Sequence, residues 1–193
     1  GNGDDNTLST FAVDPDTGWL RATGYTVPTH SEIEPRGITS LPTGEFVYAL
    51  HLLTDNIITY TVDADSGRLD VVATSFTVAG GRPNAMLLHP SADVAYVIQR
   101  FTPNVETVSI DTVTGALTSL AAISSTGGGS EAGVIDSQGR FLWVANAGTN
   151  NVSTFTLDPT THLPTALGAA LPTQGTPIAM VLSDDERFLY VVS

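Results

Sequence analysis

The residues of this chain that could do chemistry are two candidate general bases and a set of candidate ligands for an anion. A histidine or a carboxylate can activate a water molecule, and an arginine fork can hold a carboxylate, a phosphate or a developing oxyanion at two points. Together these groups suit a hydrolysis in which an activated water attacks a carbonyl group. The candidate bases are His51 and Glu131, and the candidate substrate-binding residues are Arg36, Arg82, Asn84, Arg100 and Asn146.

These residues are far apart along the chain, so a repeated element has to bring them together. Two independent markers reveal the repeat. The turn residues Gly18, Gly67, Gly115 and His162 are 49, 48 and 47 residues apart, and the aromatic residues Tyr48, Tyr96, Trp143 and Tyr190 are 48, 47 and 47 apart. Short β-type runs fill each period, and no window shows the helical spacing of apolar residues. A period of this length is typical of the blades of a β-propeller.

Each repeat is predicted to be a four-stranded antiparallel blade, with strands a to d from the axis outward. The turn between strands c and d reads D-x-x-[T/S]-G, in which the carboxylate caps backbone N–H groups and the glycine supplies a positive φ. The innermost strands are predicted at residues 38–41, 85–89, 133–136 and 178–183. The prediction is an all-β β-propeller of four blade equivalents, with a half-blade at 1–27 (strands c and d), blades at 35–78, 82–125 and 132–172, and a half-blade at 176–193 (strands a and b).

In a propeller, the loops that join strand d to strand a and strand b to strand c open on one face, around the central channel. The candidate residues are predicted to converge there, together with Glu34. The alternative is structural: Arg36 and Arg82 pair with Glu34 and nearby backbone as plugs of the channel, and His51 is an ordinary loop histidine.

The two half-blades allow two interpretations. In one, they join into a composite blade, which closes a four-bladed ring within one chain or an eight-bladed ring between two copies. In the other, the segment is a piece of a larger ring. Open half-blades expose unpaired strand edges, so something has to pair them.

The composition limits the classes of partner. Twenty acidic residues against seven basic ones give a net charge of −13, which repels nucleic acid and anionic membranes. No apolar run approaches 18 residues and no signal-peptide pattern occurs, so a soluble protein is expected, either cytoplasmic or secreted. The four histidines are scattered and no metal-ligand spacing is present, so neither a metal nor a cofactor is predicted.

The repeat resembles the lactonase-type seven-bladed propellers, which include 6-phosphogluconolactonases and fungal carboxymuconate-cyclizing enzymes. It is also similar to the YVTN-repeat propellers of surface proteins, through Trp143-Val144-Ala145-Asn146 and Asn150-Asn151-Val152. The lactonase-type pattern is present at Pro35-Arg36-Gly37, Phe46-Val47-Tyr48, Arg82-Pro83, His89-Pro90, Tyr96-Val97, residues 141–146, Asp158-Pro159 and residues 188–191. The resemblance implies hydrolysis of a small anionic sugar lactone without a required cofactor.

The sequence departs from that family at two places. Active members carry P-R-H at the start of a strand a and N-E at the end of the following strand b. The corresponding positions here read Pro83-Asn84-Ala85 with Gln99-Arg100, and Pro35-Arg36-Gly37 with Leu50-His51. Two hypotheses follow: a lactonase-like hydrolase, or a non-catalytic propeller scaffold that binds a protein or a ligand at its channel face, including at a cell surface.

Overall fold

The computed structural model describes residues 6–29, 35–123 and 127–193. Within these ranges the chain forms β-strands joined by turns, and no helix there is long and apolar enough to cross a membrane. The strands group into five antiparallel sheets that follow one another along the chain. The predicted all-β class, built from four-stranded antiparallel sheets, is confirmed.

The first and last sheets have two strands each. They are β1 (Thr7–Val13) with β2 (Leu20–Pro28), and β16 (Ala179–Leu182) with β17 (Leu189–Val192). Two sheets between them are four-stranded meanders: β3 (Pro35–Ser40), β4 (Phe46–His51), β5 (Asn56–Val62) and β6 (Leu69–Thr77), then β7 (Pro83–Leu88), β8 (Val94–Gln99), β9 (Val105–Ile110) and β10 (Leu117–Ile123). The third contains β11 (Ser130–Ile135), β12 (Phe141–Asn146), β13 (Asn151–Leu157) and, both paired with β13, β14 (Pro164–Ala166) and β15 (Leu171–Pro172).

The core lies between neighbouring blades. Strand β8 is buried along its whole length because blades pack on both of its faces, as its nearly continuous apolar sequence predicts. In the two four-stranded sheets the repeated aromatic residue of the second strand contributes to this packing. The hydroxyl of Tyr48 donates to the carbonyl of Gly115 in the next blade at 3.1 Å, and that of Tyr96 donates to the carbonyl of His162 at 2.7 Å. The aromatic residues and the turn residues therefore share one period, because an aromatic residue of one blade contacts the turn residue of the next.

The Asp-initiated turns form as predicted. Asp63 Oδ1 accepts the backbone N–H of Ser66 at 2.8 Å and its hydroxyl at 2.7 Å, and Gly67 has a φ of +69°. These hydrogen bonds hold the pKa of the Asp63 carboxyl below its usual value. In the last copy, His162 takes the glycine position with a φ of +57°.

The innermost strands begin two or three residues earlier than predicted in the three large sheets. Strands β3, β7 and β11 begin at Pro35, Pro83 and Ser130, whereas the apolar pattern predicted starts at residues 38, 85 and 133. The cause is a β-bulge near the start of each strand, which adds residues that the alternation of apolar side chains does not reveal.

Candidate functional site

The bulges place three candidate residues at the same position of consecutive blades. Pro35 pairs with His51 and Gly37 with Leu50, so the intervening Arg36 is the bulge residue of β3. The same register shift makes Asn84 the bulge residue of β7 and Glu131 that of β11. A bulge redirects a side chain out of the regular alternation of the strand. Three polar side chains therefore stand at the beginning of three innermost strands.

Asn84 and Glu131 are in direct contact across two blades. The side-chain amide of Asn84 donates to the backbone carbonyl of Glu131 at 2.7 Å and to its Oε2 atom at 3.3 Å. On the other side of Asn84, a Cβ atom added to Gly37 would lie 2.9 Å from the Asn84 carbonyl oxygen. The absence of a side chain at Gly37 is what lets the first of these strands approach the second so closely. Arg36, which precedes Gly37, is exposed.

Glu131 is also paired with Arg100. The Nε atom of Arg100 lies 2.8 Å from Oε1 of Glu131, and the two side chains are 31% and 19% exposed. Among the described residues each carboxylate oxygen has one side-chain donor, Arg100 on Oε1 and Asn84 on Oε2. A carboxylate has about four lone-pair positions, so two hydrogen bonds leave it able to accept a further proton or water.

Arg82 reaches the same region from the linker between two blades. Its backbone has a φ of +61°, and its N–H donates to Asp55 Oδ1 at 2.6 Å. Its guanidinium carbon lies 4.3 Å from the ring centroid of Phe101, and that of Arg100 lies 5.9 Å from the same centroid. In the described parts of the chain the Arg82 guanidinium forms no ion pair, whereas Arg100, Arg68, Arg140 and Arg187 each do.

In two blades the last residue of the second strand contacts the linker before its own blade. Gln99 is fully buried and donates to the carbonyl of Ala79 at 2.8 Å. Asn146 is also fully buried, and its amide lies 3.0 Å from the Ser130 hydroxyl and 3.1 Å from the backbone of Gly127. His51 has the same register position one blade earlier and is equally buried. These three side chains face the protein interior.

The structure therefore brings together Arg82, Asn84, Arg100 and Glu131. It places Arg36 in the same row, one blade away, and it places His51 and Asn146 in the interior. Glu34 lies outside the described residues. Among the residues that the structure describes, no group of three or more His, Asp or Glu side chains is arranged to hold a metal ion.

Sequence reasoning missed Glu106. Its side chain is fully buried, and its Oε2 atom accepts the N–H of Ala79 at 3.0 Å and contacts Gln99 Nε2 at 3.5 Å. The equivalent positions of the neighbouring blades hold Ile58 and Ser153, judged from the strand registers. The sequence signal available was an acidic residue at a strand position that is apolar in a neighbouring blade. In the structure Glu106 makes a second hydrogen bond, in addition to that of Gln99, to the linker that leads to Arg82.

The comparisons with known proteins agree with this fold. Residues 37–193 match the model of the family described as lactonase, 7-bladed beta-propeller. The chain therefore belongs to the lactonase family of seven-bladed β-propellers. Among curated proteins no match is found.

Solved structures resemble the chain over nearly its whole length. A putative 6-phosphogluconolactonase from Bacteroides uniformis has a TM-score of 0.86 at 18% identity, covering 96% of this chain and 57% of its own. A protein from Lactobacillus plantarum has a TM-score of 0.88 at 24% identity, covering 99% and 59%. The periplasmic gluconolactonase of Pseudomonas aeruginosa has a TM-score of 0.78 at 21% identity, covering 97% and 51%. The chain thus spans between 51% and 59% of the length of these structures.

Proposed function

We propose that the cluster of Arg82, Asn84, Arg100 and Glu131 binds a small anionic sugar lactone and hydrolyses it. The observation that carries this proposal is the half-buried Arg82, whose guanidinium lies over Phe101 and forms no ion pair among the described residues, whereas that of Arg100, near the same ring, is paired with Glu131. The chain has 20 acidic residues and 7 basic ones. In such a chain a guanidinium that has no ion-pair partner among the described residues is well placed to receive an anion from a ligand.

Glu131 is the proposed general base. It takes a proton from a water molecule whose oxygen attacks the lactone carbonyl carbon, and the developing oxyanion is stabilised by a neighbouring guanidinium. The tetrahedral intermediate then breaks its bond to the ring oxygen, which recovers the proton from Glu131. One water is consumed and one hydroxy acid is formed. Asn84 and Arg100 hold the carboxylate in place through its two oxygens.

A second candidate function is a non-catalytic scaffold that binds an anionic ligand or a protein. The burial of His51 favours it, because one of the two predicted bases is removed from the solvent-facing cluster. On that hypothesis the arginines bind without turnover. The two functions share the anion site and differ in whether Glu131 activates water.

The test compares wild type with Arg82→Gln and Glu131→Gln in the hydrolysis of 6-phosphogluconolactone and a panel of uncharged aldonolactones. Loss of a charge-assisted hydrogen bond worth about 1.5–3 kcal/mol should lower kcat/KM for the phosphorylated lactone by roughly 10- to 150-fold in Arg82→Gln. Loss of the base should lower kcat by roughly 10²- to 10⁴-fold in Glu131→Gln.

Arg68→Gln is the matched control, because Arg68 is an exposed arginine paired with Asp70 on an outer strand. It should leave turnover unchanged. A wild-type protein that binds 6-phosphogluconate but accelerates no lactone would support the scaffold instead. A protein that does neither would contradict the anion site itself.

A further inference from the structure

The exposed ring of Phe101 is the feature of this cluster that the proposed reaction leaves unused. Phe101 follows Arg100 directly, in the loop after β8, and its side chain is 60% exposed. Isolated exposed apolar residues are common on protein surfaces. This one differs because two arginines flank it, with guanidinium carbons 4.3 Å and 5.9 Å from the ring centroid.

We infer that Phe101 is a specificity residue, which accepts the flat face of a cyclic ligand whose anionic substituent is held by Arg82. This inference rests on the proposed function, since it assumes that Arg82 binds an anion. The 4.3 Å separation places any anion bound to Arg82 within about one ring diameter of Phe101. A ligand that satisfies both groups must carry its charge next to a ring, as a phosphorylated or carboxylated sugar lactone does.

A contact with Phe101 would favour a cyclic ligand over an open-chain one. The C–H groups of a sugar face pack on an aromatic ring. Arg82 lies over Phe101 at 4.3 Å, so the ligand takes the part of this 60% exposed ring that the guanidinium leaves open. Two rotatable side-chain bonds make a phenylalanine a platform of low entropic cost. An open-chain acid retains the contact to Arg82 but has no flat face to place on Phe101. The site is therefore expected to prefer a cyclic anion to an acyclic one.

The experiment measures binding of two probes by calorimetry, glucose 6-phosphate as a ring that cannot be hydrolysed and inorganic phosphate as the anion alone. Phe101→Ala should lower the affinity for glucose 6-phosphate by roughly three- to tenfold, which corresponds to an aromatic contact of about 0.5–1.5 kcal/mol. It should change the affinity for inorganic phosphate by less than about twofold. Phe101→Tyr, which keeps the ring, should retain the affinity of wild type for both probes.

Val113→Ala is the control, because Val113 is an exposed apolar residue at the opposite end of its blade. It should change neither affinity. An equal loss for both probes in Phe101→Ala would overturn the inference, since Phe101 would then act only by positioning the arginines. Unchanged glucose 6-phosphate binding would also overturn it while leaving the anion site intact. A wild-type protein that binds neither probe would overturn the proposed function together with this inference.

Discussion

One buried carboxylate, Asp136, holds the turn between β11 and β12. Its Oδ1 atom accepts the N–H groups of Arg140 at 2.6 Å and Phe141 at 2.7 Å, and its Oδ2 atom accepts Arg140 Nε at 2.9 Å. Burial alone would raise the pKa of Asp136, but the hydrogen bonds from Phe141 and Arg140 outweigh it and leave the pKa below its usual value of 3.8. The folded protein therefore favours the ionised carboxylate.

This lowered pKa predicts an acid-dependent contribution of Asp136 to stability. The contribution is present above the pKa of the unfolded chain, about 3.9, and is lost as the pH falls through the lower pKa of the folded state. Asp136→Asn should reduce the free energy of unfolding by about 1–3 kcal/mol at pH 7, because the backbone N–H groups then donate to a neutral acceptor and the Nε of Arg140 faces an NH2 group or loses its acceptor. Urea unfolding at pH 7 and near pH 2.5 should show the difference shrinking at the lower pH.

Asp185→Asn provides the comparison for that measurement. Asp185 lies at the equivalent turn between β16 and β17, but its side chain is 53% exposed. Asp185→Asn should lower the free energy of unfolding at pH 7 far less than Asp136→Asn does. Equal effects of the two substitutions would contradict the role assigned to burial at Asp136.

At the scale of the element, the turn between strands c and d is also a contact between blades. Gly18 and Gly115 have nearly equal φ values of +74° and +72°. A Cβ atom on Gly18 would meet nothing within 4 Å, whereas one on Gly115 would lie 2.6 Å from a ring carbon of Phe46 and 2.8 Å from Thr59 Cγ2. Both glycines allow the positive φ that the turn requires. Of the two, only Gly115 also makes room, by its lack of a side chain, for Phe46 and Thr59 of the preceding blade.

The pair of glycines separates these two roles. Gly18→Ala should lower the free energy of unfolding by about 1–2 kcal/mol, because a residue with a side chain is strained in the left-handed conformation. Gly115→Ala should cost about 1–3 kcal/mol more, because Phe46 is buried and has to move. Chemical denaturation of the two variants measures the difference. Similar losses would mean that the turn alone, and not its packing on Phe46, decides the residue at this position.

At the scale of the molecule, the two-stranded sheets at the two ends have open faces. Tyr190 is 58% exposed although its counterparts Tyr48 and Tyr96 are fully buried, and Phe11 is 55% exposed although its counterpart Tyr60 is fully buried. In the described structure β1–β2 and β16–β17 are separate sheets that do not pair with each other. Large exposed apolar faces and open strand edges are sites of association.

We expect these two open edges to pair between two copies of the 193-residue chain, so that β17 of one copy continues into β1 of the other. The register of the complete blades, in which Tyr48 lies opposite Thr59, would place Tyr190 opposite Thr10 and Val191 opposite Ser9. Light scattering should then give about twice the chain mass of 20.1 kDa.

Engineered disulfides test the register directly, since the chain has no cysteine. Neighbouring cross-strand pairs alternate in spacing, so one of two double variants, Thr10→Cys with Tyr190→Cys or Ser9→Cys with Val191→Cys, should form a covalent dimer on oxidation. Cysteines shifted by one residue, at Thr10 and Val191, should link less readily. A monodisperse species of 20.1 kDa without crosslinks would contradict pairing between copies.

Much of the fold could be predicted from the sequence, because each blade repeats short-range rules. Strand alternation, the Asp-initiated turns and a conformation that Gly67 adopts easily all depend on neighbours along the chain. The bounds of the innermost strands could not be predicted as well. A bulge residue such as Asn84 interrupts the alternation, and its place is decided by pairing with another strand.

The amino-acid sequence by itself determined the period, the blade architecture and the family, because those features are local and occur several times. Only the tertiary structure decided which polar residues share a site. His51 and Glu131 looked like equivalent candidates, yet one is fully buried at the end of β4 and the other stands on a bulge between Asn84 and Arg100. Burial and ion pairing depend on side chains contributed by other blades: the partners of Glu131, which are Arg100 and Asn84, lie 31 and 47 residues away along the chain. A pattern read along one strand contains no information about them.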